Sequence, residues 1–151
     1  MGGTEGPGKE RAVNLAVGAI TFVWLGMVLA ISFLEAPVKF RAPGITVPLG
    51  LGIGRLVFRA LNVVEVVLLV GIGVALLLGP RSATVGWTTA AVALVLVLQL
   101  AAVRPALNAR TRRVLAGDPH TGSRAHLVYI ALELLKIAGL VVLGLAAYAV
   151  V

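Results

Sequence analysis

The chain has 151 residues, 60% hydrophobic and 13% charged, with a formal net charge of +7, whereas a soluble domain uses about 45–50% apolar and about 25% charged residues. That balance excludes a water-soluble globule, and with no cysteine the chain has no disulfide, thiolate catalysis or Cys-bound metal. The positive charge does not point to nucleic acid, because the basic residues sit in connections beside long apolar runs, where they orient a membrane chain and meet anionic lipid headgroups.

In chain order, residues 1–11, MGGTEGPGKER, read as a mobile polar leader, and residues 12–151 as a single transmembrane domain. A span needs roughly 20 apolar residues, which predicts helices over 12–34, 56–78, 83–103 and 125–150. Gly79-Pro80 ends the second and Arg104-Pro105 ends the third. Ala30-Ile31-Ser32 imitates a signal-peptidase site, but the apolar run before it exceeds the ~7–15 residues of a signal core. Cleavage there is therefore not expected.

The first connection carries SFLEAPVKFRAPGITVPLGLGIGR. Pro37, Pro43 and Pro48 forbid a continuous helix between the spans. Gly50, Gly52 and Gly54 alternate, which predicts an extended backbone approaching its neighbours closely. The start of the second span then offers free N–H groups flanked by Arg55 and Arg59. That suits an anion: a lipid phosphate, a substrate carboxylate or Glu35. The competing reading is an interfacial cover that plugs the bundle. No strand precedes the glycines and no Walker lysine follows, so this is not a nucleotide motif. After the third span, ARTRRVLAGDP reads as a surface helix with Arg110, Arg112 and Arg113 on lipid headgroups. Asp118 and His120, in GDPHTG, form a turn.

The fold class is therefore all-α: an integral membrane four-helix bundle with an irregular Pro/Gly-rich cytoplasmic connection between helices 1 and 2. Nine basic residues lie in the two long connections (Lys39, Arg41, Arg55, Arg59, Arg104, Arg110, Arg112, Arg113 and Arg124), against Lys9, Arg11 and Arg81 on the other side. The positive-inside rule then places the chain in the cell inner (plasma) membrane with both termini outside and both long connections in the cytoplasm. Spans one-two and three-four share a long basic connection, but no residue match between them stands out, so no repeat is expected.

Polar residues inside the spans carry the functional reading. Span two has Arg55, Arg59, Asn62 and Glu65 at steps of four, three and three; span four has His126, Tyr129, Glu133 and Lys136 at steps of three, four and three. Each set lies on one helical stripe. Glu133 lies about 10 Å beyond His126, and Glu65 about 13 Å beyond Leu56. Span three adds Gln99, Arg104 and Asn108, and Glu35 closes span one. The other half offers little beyond Thr21, Thr88 and Thr89. An ionisable group at mid-span costs at least ~2.5–3.5 kcal/mol, so such groups pair or perform a task. Two readings stand. In one, Glu133 and Lys136 neutralise each other, Glu65 pairs with an arginine, and the pairs fix helix register. In the other, Glu35, Arg55, Arg59, Asn62, Glu65, Arg104, Asn108, His126, Tyr129, Glu133 and Lys136 line a polar site open to the cytoplasm. His126 alone reads as a cap or interface residue. No Glu-x-x-His pair of the di-iron bundles is present, so no metal is expected, and no cofactor is assigned.

The combination FLEAPVKFRAPG, GIGRLVFRALN..E, RPALN.R and H..Y...E..K resembles an uncharacterised bacterial four-span membrane protein family, from Phe33 to Lys136. It is also distantly similar to the transmembrane-protein-205-like and anthrone-oxygenase-like groups, which share four spans and an early Glu/Pro motif. The anthrone-oxygenase likeness implies oxidation of a hydrophobic aromatic substrate, but it carries no catalytic residue onto this chain. The expected function is movement of protons or a small charged solute. The alternatives are a membrane enzyme acting on a quinone or polyketide-like substrate, with Glu133 or His126 as base, and a non-catalytic membrane subunit. The expected partners are the bilayer and its anionic headgroups. A homodimer is also expected, since four spans are few for a transporter, packed through Gly26-x-x-x-Ala30 or Gly71-x-x-x-Ala75.

Overall fold

The computed structural model describes residues 7–79, 82–117 and 124–149, and within them every regular element is helical. These elements are α1 (Pro7–Leu29), a π-helical segment π1 (Ala30–Glu35), α2 (Ala36–Lys39), α3 (Val47–Leu78), α4 (Ala83–Leu98), a second π segment π2 (Gln99–Val103), α5 (Arg104–Leu115) and α6 (Arg124–Ala149). Four stretches are long and apolar enough to cross a membrane: Gly8–Lys39, Val47–Leu78, Ala83–Val114 and His126–Ala149. Leucines and valines face outward along them, among them Val63, Val67 and Val70 on α3. Such surfaces belong against lipid, and the chain has the form of a multi-pass membrane protein.

The helices overrun the expected boundaries. Pro7–Arg11, assigned above to the mobile leader, already belongs to α1. Pro37 and Arg104-Pro105 stop nothing, and the reason is local. A proline in an α-helix lacks the N–H donor and its ring collides with the carbonyl four residues back. Here the residue just before each proline bonds five residues back instead, Ala36 to the Ile31 carbonyl and Arg104 to the Gln99 carbonyl. The π turn lengthens the local repeat, and the helix passes through the proline.

The break between the first two long helices is only 40–46. Gly44 takes a left-handed φ of +81° there, and the Thr46 hydroxyl accepts from the Leu49 amide to cap α3. The predicted extended glycine segment is helical instead. Its alternation hides a helical spacing: Gly50 and Gly54, four apart, are both buried, and a Cβ on Gly50 would fall in the Phe40 ring. A Cβ on Gly54 would stand 2.7 Å from Lys39 Nζ, whereas Gly52 has open space. Close approach is real; extension is not. With its 32 residues, α3 is about 48 Å long, more than the ~30 Å hydrocarbon core. Glu65 therefore lies mid-helix. Arg81, Asp118, His120 and residues 1–6, 80, 119, 121–123 and 150–151 lie outside the described residues.

The bundle has a repeat that the residue identities conceal. Shifted by 68 residues, buried Val17, Thr21, Trp24 and Val28 of α1 fall on buried Val85, Thr89, Val92 and Leu96 of α4. Likewise Leu61, Glu65 and Ile72 of α3 fall on Tyr129, Glu133 and Leu140 of α6. The same shift superposes Pro37 on Pro105, each just beyond its π segment. Thr21 and Thr89 both donate to the carbonyl four back, at 2.7 and 2.8 Å. Two α-hairpins of one design thus build the bundle, matched in which positions are buried rather than in which residues fill them.

The packing is less even than that pairing. α1 lies along α3, α4 along α6, and α1 along α6, each broadly. The remaining seam, α3 against α4, touches only briefly. The apolar core, with Val17, Trp24, Val28, Ile72, Val92, Leu96, Leu140 and Leu143, fills the space between.

Candidate functional site

Below the core, all four long helices contribute to one buried polar cluster. Lys136 of α6 has one direction in which to hide its charge, toward the bundle axis, and there its three N–H groups are all used. Nζ donates to Glu65 Oε1 at 2.5 Å and to Gln99 Oε1 at 3.0 Å, and it pairs with Glu133 Oε2 at 3.1 Å. Glu65 of α3 also accepts from the Trp24 indole N–H of α1 at 3.0 Å. Glu133 accepts from the Ser32 hydroxyl at 2.8 Å and from the Gln99 amide at 2.6 Å. Glu65, Glu133 and Lys136 are 1%, 2% and 1% exposed. Full hydrogen bonding is what makes such burial tolerable in a low dielectric.

Both π segments take part in this cluster. Ser32 lies in π1 and Gln99 in π2, and both donate to the same carboxylate. Irregular helical turns of this kind recur at functional sites, where they place a side chain that a regular helix would turn away.

On the side of the cluster away from the core, toward the basic end, a cavity of about 540 Å³ opens between π1, α2, α3, α5 and α6. That size suits a small organic molecule. Phe33, Phe40, Leu51, Phe58, Leu107 and Ile130 form apolar walls, and Glu133 with Ser32 lies at the floor. Lys39, Arg55, Arg104, Arg110 and His126 also line it. Phe58 stands between two cations, Lys39 Nζ 5.8 Å from its centroid and the Arg104 guanidinium 5.1 Å away, and meets Tyr129 edge-on at 5.9 Å. Arg104 donates to the Phe58 carbonyl at 3.0 Å and to Asn62 Oδ1 at 2.9 Å, tying α5 to α3.

The predicted site residues thus separate into groups. Glu65, Glu133 and Lys136 come together as the buried cluster, with Tyr129 buried nearby. Glu65 pairs with Lys136 rather than with an arginine; Arg55 and Arg59 are exposed. Asn62 and Arg104 form one pair, and Asn108 lines the hollows on either side of it. Glu35 binds Lys39 at 3.2 Å and does not line the cavity. Exposed His126 lies at the cavity mouth. Among the described residues no group of three or more His, Asp or Glu side chains could hold a metal.

Trp24, Ser32 and Gln99 complete the cluster; Gln99 was named among the polar residues of span three, whereas Trp24 and Ser32 were not among the predicted site residues. Trp24 reads as one more apolar residue on the α1 stripe; only its place four before Val28 and three after Thr21, on the buried face, marks it. Comparison of the chain with protein-family models, curated proteins and solved structures found no match to any of them.

Proposed function

We propose that the chain lies in the inner membrane with its basic end in the cytoplasm, and that it moves a small charged solute in step with a proton carried by Glu133. The observation that carries this reading is the double position of Glu133: it belongs to the buried cluster and also lines the cavity, whereas Glu65 does not reach the cavity. When all three groups are ionised, two carboxylates share one ammonium and the cluster has one negative charge in excess. A proton on Glu133 leaves a neutral Glu65–Lys136 pair with its hydrogen bonds intact. Either carboxylate could take that proton without stranding the lysine, and Glu133 is the one that the cavity reaches. The basic wall of Lys39, Arg55 and Arg104 favours an anionic solute, and the apolar walls favour one with a hydrophobic body. The asymmetry of basic residues supports the orientation. A homodimer fits the exposed face around Gly26, where a Cβ would meet nothing.

Proteoliposomes with an internal pH dye test the proposal against a panel of small organic anions. Glu133→Gln lowers anion-dependent proton flux at least tenfold at unchanged expression and folding. Wild-type flux in a folded Glu133→Gln protein overturns it.

A second reading has one observation of its own. The aromatic lining of Phe33, Phe40 and Phe58 also suits a lipid-soluble quinone or polyketide-like substrate, with Glu133 or His126 as base. Mass spectrometry of extracts from the purified protein separates the two: a bound compound that is chemically altered during incubation favours the enzyme.

A further inference from the structure

The second hollow of the bundle, about 420 Å³, lies at the incompletely closed seam on the far side of Arg104. Arg55 and Arg59 from α3 and Arg104 and Arg112 from α5 line it, with Asn62 and Asn108 between them. No carboxylate is among its lining residues, and none of the four guanidiniums forms an ion pair among the described residues. Arg104 Nε is buried without a hydrogen-bond partner. Four like charges around one small hollow at the edge of a lipid phase repel one another, and their free energy falls steeply when an anion enters.

The surroundings identify the anion. The hollow lies between α3 and the π2–α5 end of the third long helix, whose α4 part touches α3 only briefly, although the equivalent pair in the repeat, α6 and α1, packs broadly. Leu56, at 64% exposure, flanks it, Leu100 lines its wall, and exposed Val63, Val67 and Val70 continue from it along α3. A ligand with an anionic head and hydrocarbon tails matches both parts, head among the arginines and tails along the valines. We propose that this hollow is a binding site for an anionic phospholipid, with its phosphate held by Arg55, Arg59, Arg104 and Arg112. Basic pockets between membrane helices bind cardiolipin-type headgroups in this way. The lipid completes the fourth side of the bundle. The proposal rests on the chain lying in a bilayer but not on any transport by the Glu133 cavity. Arg59 and Arg112 line only this hollow, so they test it separately.

The experiment is native mass spectrometry of the purified full chain in mild detergent with equal amounts of cardiolipin, phosphatidylglycerol and phosphatidylcholine. Thermal melts are run in parallel, including one with inorganic phosphate. The wild-type protein retains the two anionic lipids at least tenfold over phosphatidylcholine and melts higher with them. Arg59→Gln/Arg112→Gln lowers that preference by up to about 30-fold, from roughly fivefold per charge. Arg59→Lys/Arg112→Lys and the pair Arg41→Gln/Arg113→Gln, which lines neither hollow, keep most of it. Equal retention of all three lipids by the wild type overturns the proposal by itself, whether or not the double variant folds. So does a preference that survives Arg59→Gln/Arg112→Gln, or a thermal shift that inorganic phosphate reproduces, which would make the ligand a free anion.

Discussion

Replacing Lys136 by methionine, which preserves the stem and removes the ammonium, probes the buried cluster most directly. The two carboxylates are bound to one nitrogen at 2.5 and 3.1 Å, so their oxygens can be no farther apart than the sum of those distances. Two negative charges about 5.6 Å apart repel by about 3 kcal/mol at an effective dielectric of about 20. Gln99 Oε1 loses a donor as well. Breaking a buried pair by removing one partner costs about 3–5 kcal/mol elsewhere, and Lys136→Met is therefore expected to destabilise by at least about 3 kcal/mol. That is roughly a hundredfold in the folding equilibrium. Replacing the whole cluster differs from breaking it. The triple variant Glu65→Gln/Glu133→Gln/Lys136→Met has no charge to strand, and it recovers most of the loss. Reversible unfolding in mixed micelles, or steric trapping in bicelles, measures both. A Lys136→Met protein as stable as the wild type, or a triple variant no more stable than Lys136→Met, refutes the account of one lysine holding two carboxylates.

Three further substitutions follow from the same geometry. Trp24→Phe keeps a ring in the core but removes the indole donor to Glu65; a loss of about 1.5–3 kcal/mol is expected in the same unfolding assay, as for other bonds to charged groups. Gln99→Leu removes partners from both Glu133 and Lys136 and costs more than Ser32→Ala, which removes one bond at the cavity floor where water can replace it; urea or detergent titrations of the two variants rank them. Gly50→Ala forces the Phe40 ring aside and lowers thermal stability by about 1–3 kcal/mol, whereas Gly54→Ala displaces only the mobile end of Lys39 and gains helix propensity in return, so its melt lies closer to wild type.

The spans were legible because apolar length is a one-dimensional signal, and the stripes with Glu65, Glu133 and Lys136 because helical periodicity puts them on one face. Their meeting at one point follows from the cost of charge in hydrocarbon. The helix boundaries were not legible. Pro37 and Arg104-Pro105 carry a strong local stop signal, and the π turn that overrides it has no composition of its own. The glycines of PLGLGIGR show alternate spacing to the eye, while the contacts that need them, with Phe40 and Lys39, follow the four-residue helical step. Trp24 was invisible because an indole in an apolar run resembles any other large hydrophobe until its N–H finds an acceptor. The repeat was hidden because the halves share buried positions and turns, while Lys136 occupies the position that Leu68 fills in the other half.

The saturated ammonium of Lys136 has a mechanical consequence. Its three protons are committed to α3, to π2 and to a carboxylate of its own helix, so neutralising Glu133 loosens one tether and throws the cation's weight onto the other two. Under the proposed function, a proton taken up by Glu133 would therefore be felt at Glu65, 71 residues away along the chain, through the single nitrogen that both carboxylates share.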